Sequence, residues 1–278
     1  MSMEGKICMI TGANSGIGKA TAIGLAQMNA TIVMVCRNKE RGEPAQKDII
    51  EKTGNNKVDL LLCDLSSLES IRNLVAEFKN KYQNLHVLIN NAGVMLSKRE
   101  LSVDGFEMNF AVNHLAPFLL THLLLDTLKR SAPSRIINVA SAAHKYGKID
   151  FDDLLGEHKK RRFMGLYGDS KLALMLTSYE LSRRLEGTGV TLNTVHPGVV
   201  NTNLGVDRSK PRKGIVRRFF KKPEKGAETS IYLASSPEVE GITGKYFVKK
   251  QQQESSEDSY DETLAKKLWD ISMEMVGL

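Results

Sequence analysis

The sequence predicts an α/β fold, a single domain spanning 1–278 and built on a doubly wound parallel sheet of about seven strands. Three observations carry that prediction. Short apolar runs alternate with longer stretches of helical period along the chain. A glycine-rich turn separates the first apolar run from the first helical stretch. Small polar residues stand where successive runs end, which is the edge at which open sheets of this kind hold ligands.

Lys6 to Thr11 reads as a short buried strand. Gly12, Ala13, Asn14, Ser15, Gly16, Ile17 and Gly18 form a turn that opens a helix from Lys19 to Met28. Glycines let a phosphate approach the main chain, and a helix amino terminus offers unpaired N–H groups with a positive dipole end. A strand, such a turn and a helix, followed by a second strand from Thr31 to Cys36, make a Rossmann-type cradle for a dinucleotide diphosphate. Where an NAD-preferring unit carries Asp or Glu, this chain has Cys36 followed by Arg37. An arginine there can pair with a ribose 2′-phosphate, so the expected cofactor is NADP(H).

Alternation continues with a helix from Lys39 to Lys52, a strand from Val58 to Cys63, a helix from Ser67 to Tyr82 and a strand from Leu85 to Ile89. Asp64 and Leu65 follow the third strand, and Asn90, Asn91, Ala92 and Gly93 follow the fourth. Both are turn-forming segments at the ligand edge, placed to touch adenine and ribose. Gly105 to Arg130 is a long helical stretch with Asn113 in its middle and Pro117 just beyond, which predicts a kink and gives Asn113 a purpose other than helix propensity.

Arg135 to Ala140 is the fifth strand, with Ser141 at its carboxyl end. A polar, basic connection follows. The next helix begins at Tyr167 and runs toward Leu185, so Tyr167 and Lys171 share one face at i, i+4. A phenol titrates near ~10, and a neighbouring ammonium is expected to draw it toward the working range. Val190 to His196 is a strand, and Pro197, Gly198, Val200 and Thr202 lie on the segment leaving it. A helix over Pro223 to Ala234, an edge strand over Lys245 to Val248, a polar surface turn over Gln251 to Glu262 and an amphipathic helix over Thr263 to Met275 complete the chain. Trp269 reads as a packing anchor.

Asn113, Ser141, Tyr167 and Lys171 are the residues a carbonyl oxidoreductase needs. The Ser141 hydroxyl hydrogen-bonds the substrate oxygen and Tyr167 transfers the proton. Lys171 tunes Tyr167 and bonds the nicotinamide ribose, while Asn113 holds a water that links Lys171 to solvent. Together with the glycine-rich turn, Asn90-Asn91-Ala92-Gly93 and His196-Pro197-Gly198, they resemble the short-chain dehydrogenase/reductase family over essentially the whole chain. The resemblance is greatest to its retinol dehydrogenase branch, through Lys98 to Glu107, the spacing from Ser141 to Tyr167, Val195 to Val200 and Leu268 to Ser272.

It implies a seven-stranded parallel sheet, hydride transfer at nicotinamide C4 and the same four catalytic residues. It also implies cofactor contacts at Gly12, Asn14 to Gly18, Arg37, Asp64, Leu65, Asn91 to Gly93, Tyr167, Lys171, Pro197, Gly198, Val200 and Thr202. The expected reaction interconverts an alcohol and a lipophilic, retinal-like aldehyde or ketone. Reduction of a carbon-carbon double bond and a low-turnover NADP(H) sensor are the alternatives.

With 278 residues and 41% hydrophobic content, a full core needs no disulfide or metal staples. The three cysteines fall within apolar runs and lack metal or redox spacing, and the histidines are scattered, so no metal is expected. The amino terminus shows no secretion signal and no run suggests a transmembrane segment, so a cytoplasmic protein is expected. Charge is concentrated in Asp207 to Lys225, nine basic residues against two acidic, a local +7 equal to the formal charge of the whole chain. This overlaps a substrate lid expected over 203–224. No recognition motif accompanies the charge, so nucleic acid is not an expected partner; peripheral contact with an anionic membrane and homo-oligomerisation stay open.

Overall fold

The sheet is organised around its first strand. The computed structural model describes residues 2–96, 98–158, 165–200 and 221–278. In it, β1 (Ile7–Thr11) lies between β2 (Thr31–Cys36) and β4 (Val87–Asn90), with β3 (Val58–Leu62) outside β2. On the other side follow β5 (Ser134–Val139), β6 (Val190–His196), β7 (Tyr246–Val248) and β8 (Gln251–Gln253). All pairings are parallel except the last, in which β8 runs antiparallel to β7. The chain departs from β1 first toward β2 and later toward β4, so a crevice opens at the carboxyl end of β1, where such folds bind ligands.

The described sheet therefore has eight strands rather than about seven. The extra one is Gln251–Gln253, within the stretch expected to be a surface turn. A polar, fully exposed strand carries no apolar alternation; its pairing with β7 comes from the two-residue turn at Lys249 and Lys250.

Side-chain alternation sends successive residues of β1 and β2 to opposite cores. Cys8, Ile10, Ile32 and Met34 join the core beneath α1 (Gly16–Ala26), α2 (Lys39–Thr53) and α7 (Pro223–Ser235). Met9, Val33 and Val35 join the larger core beneath α3 (Leu68–Lys81), α5 (Ala116–Arg130), α6 (Gly165–Arg184) and α8 (Glu262–Val276). Trp269 of α8 meets Phe118 edge-on at 5.0 Å between ring centroids, so it is the packing anchor expected of it.

The stretch expected to be one helix from Gly105 is compound. A short α4 (Met108–Phe110) passes into a π-helical turn over Ala111–Leu115 before α5 begins. Pro117 has no N–H to give the Asn113 carbonyl in an α-helical register, so the backbone widens there. Met108–Arg130 is also apolar enough, at a mean hydropathy of 1.2, to cross a bilayer by length and composition. In the fold 78% of that window is buried, the pattern of a core helix.

Candidate active site

Everything expected at the ligand edge depends on how the ends of β1 and β4 are tied. Thr11 does this: its hydroxyl accepts hydrogen bonds from the Asn91 and Ala92 N–H groups, each at 3.0 Å, while Asn91 Nδ2 donates to the Thr11 carbonyl at 2.8 Å. Gly12 and Gly16 take left-handed φ values of 68° and 55°, which turn the chain sharply into α1. A Cβ on Gly18 would lie 2.4 Å from both the Gly12 carbonyl oxygen and Asn91 Nδ2, so only glycine lets the helix start this close to the strand ends. Ser15 is the N-cap of α1, yet its side chain caps none of the helix N–H groups, and the first turn carries no acid. These N–H groups remain available to an anion.

At the other end of the crevice Ser141 follows β5 and starts a 3₁₀ turn over Ala142–Tyr146. This turn packs backbone to backbone on the first turn of α6. A Cβ on Gly147 would meet the Gly168 carbonyl oxygen at 2.3 Å, and one on Gly168 would meet the Ala143 oxygen at 3.0 Å. Absence of side chains at both positions lets the turn that starts at Ser141 approach the turn of α6 that carries Tyr167. His144 steadies the turn: Nδ1 donates to the Ser141 carbonyl at 2.6 Å and Nε2 accepts from the Ser256 N–H at 3.0 Å, which defines the neutral tautomer.

Tyr167 and Lys171 are both buried on one face of α6, with Lys171 Nζ 5.9 Å from the centre of the phenol ring. Lys171 Nζ donates to the Val139 carbonyl at 3.0 Å. Burial pushes the Tyr167 phenol above its ordinary value, with the Ser141 hydrogen bond acting against this. Burial also pushes Lys171 down to about 8. Desolvation is the largest influence on both groups, and on the phenol it outweighs any downward pull from Lys171.

The Asn113 side chain ties neighbouring elements together. Its Oδ1 accepts from the Val94 N–H at 2.9 Å, and its Nδ2 donates to the Val94 carbonyl at 2.9 Å and the Ser170 hydroxyl at 3.0 Å. The side chain clamps the segment leaving β4 to α6. Gly93 leaves room for this, since a Cβ there would sit 3.0 Å from Asn113 Oδ1 and 3.7 Å from Lys171 Nζ.

A cavity of about 570 Å³ joins the two ends. Gly12, Asn14 to Gly18 and Asn91 to Gly93 line one side; Ser141, Tyr167, Lys171, Pro197, Gly198 and Val200 line the other. Asp64, Leu65 and Arg37 do not line it. Asp64 Oδ1 accepts from the Ser66 N–H and hydroxyl, closing a local turn; Leu65 packs on the larger core, and Arg37 is exposed. Thr202 lies outside the described residues, as do 201–220, which hold most of the expected lid and of the basic segment. Arg41 lines the cavity although the sequence did not single it out. The available signal was a second arginine one helical turn after Arg37, behind the N-cap Asn38 whose side chain accepts from the Arg41 N–H.

A mostly parallel sheet with this switch point, and an anion-ready helix terminus sharing a cavity with half-buried Ser141 and buried Tyr167 and Lys171, defines a nucleotide-dependent dehydrogenase fold. The chain belongs to the short chain dehydrogenase family, whose pattern matches residues 6–213. Within the family it stands with the retinol dehydrogenase branch. It is 47% identical to human retinol dehydrogenase 14 over 295 aligned residues, covering 99% of this chain and 88% of that protein. The fold is shared with a Mycobacterium paratuberculosis protein of known crystal structure, at 32% identity and a TM-score of 0.82, covering 99% of this chain and 95% of that one. The Pseudomonas aeruginosa RhlG/NADP active-site complex matches at 25% identity and a TM-score of 0.73, covering 88% and 94% of the two chains.

Proposed function

We propose that this protein interconverts an alcohol and a lipophilic aldehyde or ketone with NADP(H) as the hydride carrier. The observation that carries the reading is the convergence of Ser141, Tyr167 and Lys171 on the same cavity as the uncapped amino terminus of α1. The solved NADP complex of a relative and the retinol dehydrogenases in the same branch support it.

The residues present suit such a cofactor. Gly12, Gly16 and Gly18 let a diphosphate reach the N–H groups of α1, and Arg41, with Arg37 beyond the wall, supplies cationic partners for a 2′-phosphate. Asn91 to Gly93 and Pro197, Gly198 and Val200 flank the rest of the molecule. When bound, NADP(H) supplies or accepts the hydride. In carbonyl reduction the Ser141 hydroxyl holds the substrate oxygen, and Tyr167, kept protonated by burial, donates its proton to that oxygen. Lys171 then lies beside the phenolate that remains and stabilises it. Asn113 positions the β4 exit and, through Ser170, the helix that carries both groups.

The reading is tested with purified protein, NADPH and NADH in parallel, and a panel of retinal, medium-chain aldehydes and ketosteroids. Alcohol product and NADPH oxidation are expected. Saturation of the double bond of an enone, or cofactor binding without turnover on any carbonyl, would overturn it.

Cofactor choice gives a separate prediction. Arg41→Ala and Arg37→Ala should each weaken NADPH by roughly 1.5 to 3 kcal/mol, the range for hydrogen bonds to a charged group, and leave NADH nearly unchanged. Dissociation constants from fluorescence titration decide; equal losses for both cofactors would remove the 2′-phosphate role.

A further inference from the structure

A second cavity, of about 350 Å³, shares the wall His196, Pro197 and Gly198 with the larger one. Four lysines line it: Lys221, Lys225, Lys249 and Lys250. Among the described residues Glu228 is the one acid lining it, and it is taken up by Lys225 at 2.8 Å. Three ammonium groups on this wall therefore have no carboxylate of their own among the described lining residues.

The turn that presents two of them is strained. Lys249 and Lys250 connect paired residues Val248 and Gln251 with φ values of 52° and 64°, both left-handed. A two-residue hairpin turn of this kind favours Asn-Gly, and a lysine at either position is disfavoured. The Lys250 N–H donates to the Thr229 hydroxyl at 3.1 Å, fastening the turn to α7. Two adjacent like charges are thus held in an unfavourable backbone conformation, an outlier that points to a ligand.

We propose that this cavity binds the phosphate of an anionic phospholipid and seats the mouth of the larger cavity against a lipid surface. Lysine serves here as a point-charge partner for phosphate. A lipid is favoured over a free ion because the rim of the larger cavity also carries Val199 and Tyr146, exposed at 63% and 75%, which a small anion does not use. The inference does not depend on the catalytic assignment, since its test reads binding alone.

The test compares sedimentation with vesicles of phosphatidylcholine alone and of phosphatidylcholine with about one part in five phosphatidic acid. Wild type should sediment with the second and not the first. Lys249→Asn/Lys250→Gly keeps the turn and removes the charges. It should bind anionic vesicles at least about tenfold more weakly, while its Tm rises by about 2 to 5 °C as strain is relieved. Lys79→Gln/Lys81→Gln, an equal charge change on α3, should behave as wild type. No sedimentation of wild type, equal binding by the turn variant, an equal loss in the α3 control or a lowered Tm would overturn the proposal. So would saturable binding of inorganic phosphate, measured without vesicles, as tight as that to the anionic vesicles, which would assign the cavity to a soluble anion.

Discussion

Tyr167→Phe should lower carbonyl reduction by about 10²- to 10⁴-fold, the range for loss of a positioned proton donor. The ring is 5% exposed and packs at the first turn of α6, so phenylalanine fills its space and the fold persists. The hydroxyl is what disappears, and with it the proton donor on the cavity wall. NADPH should bind with nearly the wild-type dissociation constant, because α1 and the strand-end tie at Thr11 are untouched. Single-turnover rates with saturating NADPH separate the two effects. Near-normal turnover in the variant would remove Tyr167 from the chemistry.

Lys171→Met should cost about 10²-fold or more in kcat/KM, since it keeps the length and packing of the side chain and removes the ammonium that faces the developing phenolate. A pH profile adds a signature that a structural role would not produce. Burial places Lys171 at about 8 against an ordinary 10.5, so the ammonium is present below about 8 and lost above it. In wild type, kcat/KM for the cofactor, which reports groups of the free enzyme, should fall above that pH. Stability moves the other way. Between about 8 and 10.5 the unfolded chain holds this proton and the folded chain does not, so rising pH favours the folded state at this site. Wild type should therefore gain Tm relative to Lys171→Met across that window, even as its activity declines. A gain that is the same in both proteins would show that Lys171 titrates elsewhere.

The parts of the fold legible in the sequence are those written in periodic apolar pattern or in backbone-specific residues. Strands β1, β2 and β4 are short, mostly apolar and largely buried runs, β3, β5 and β6 keep enough apolar residues among their polar ones to be read the same way, and the glycine-rich turn needs its glycines for positive φ or close approach. Tyr167 and Lys171 were legible as a pair because four residues of α-helix fix their relation. What escaped depends on contacts that no local pattern encodes. Strand β8 is three glutamines with no apolar face, defined by a turn whose lysines are not turn-forming residues. The π-helical turn required weighing the missing N–H of Pro117 against the buried amide of Asn113, where the sequence alone announced a kink. Arg41 was missed because the position after the second strand drew attention to Arg37, whereas the helix that follows carries the later arginine to the wall. The direction of the Tyr167 shift was missed for a simpler reason: desolvation is a property of the closed fold, and spacing reports only the neighbouring charge.

The contact between Gly147 and Gly168 bears on how sharply the pair Ser141 and Tyr167 is aligned. Side chains packed against each other can exchange rotamers and absorb a displacement, but two main chains in direct contact have no such compliance. The relative position of the two hydroxyls is consequently set by bond geometry, with little thermal spread contributed by the joint between their supporting elements. A misplacement of an ångström can cost two orders of magnitude in rate, so these glycines, neither of which bears a functional group, give the site a narrow distribution of geometries in place of a broad one.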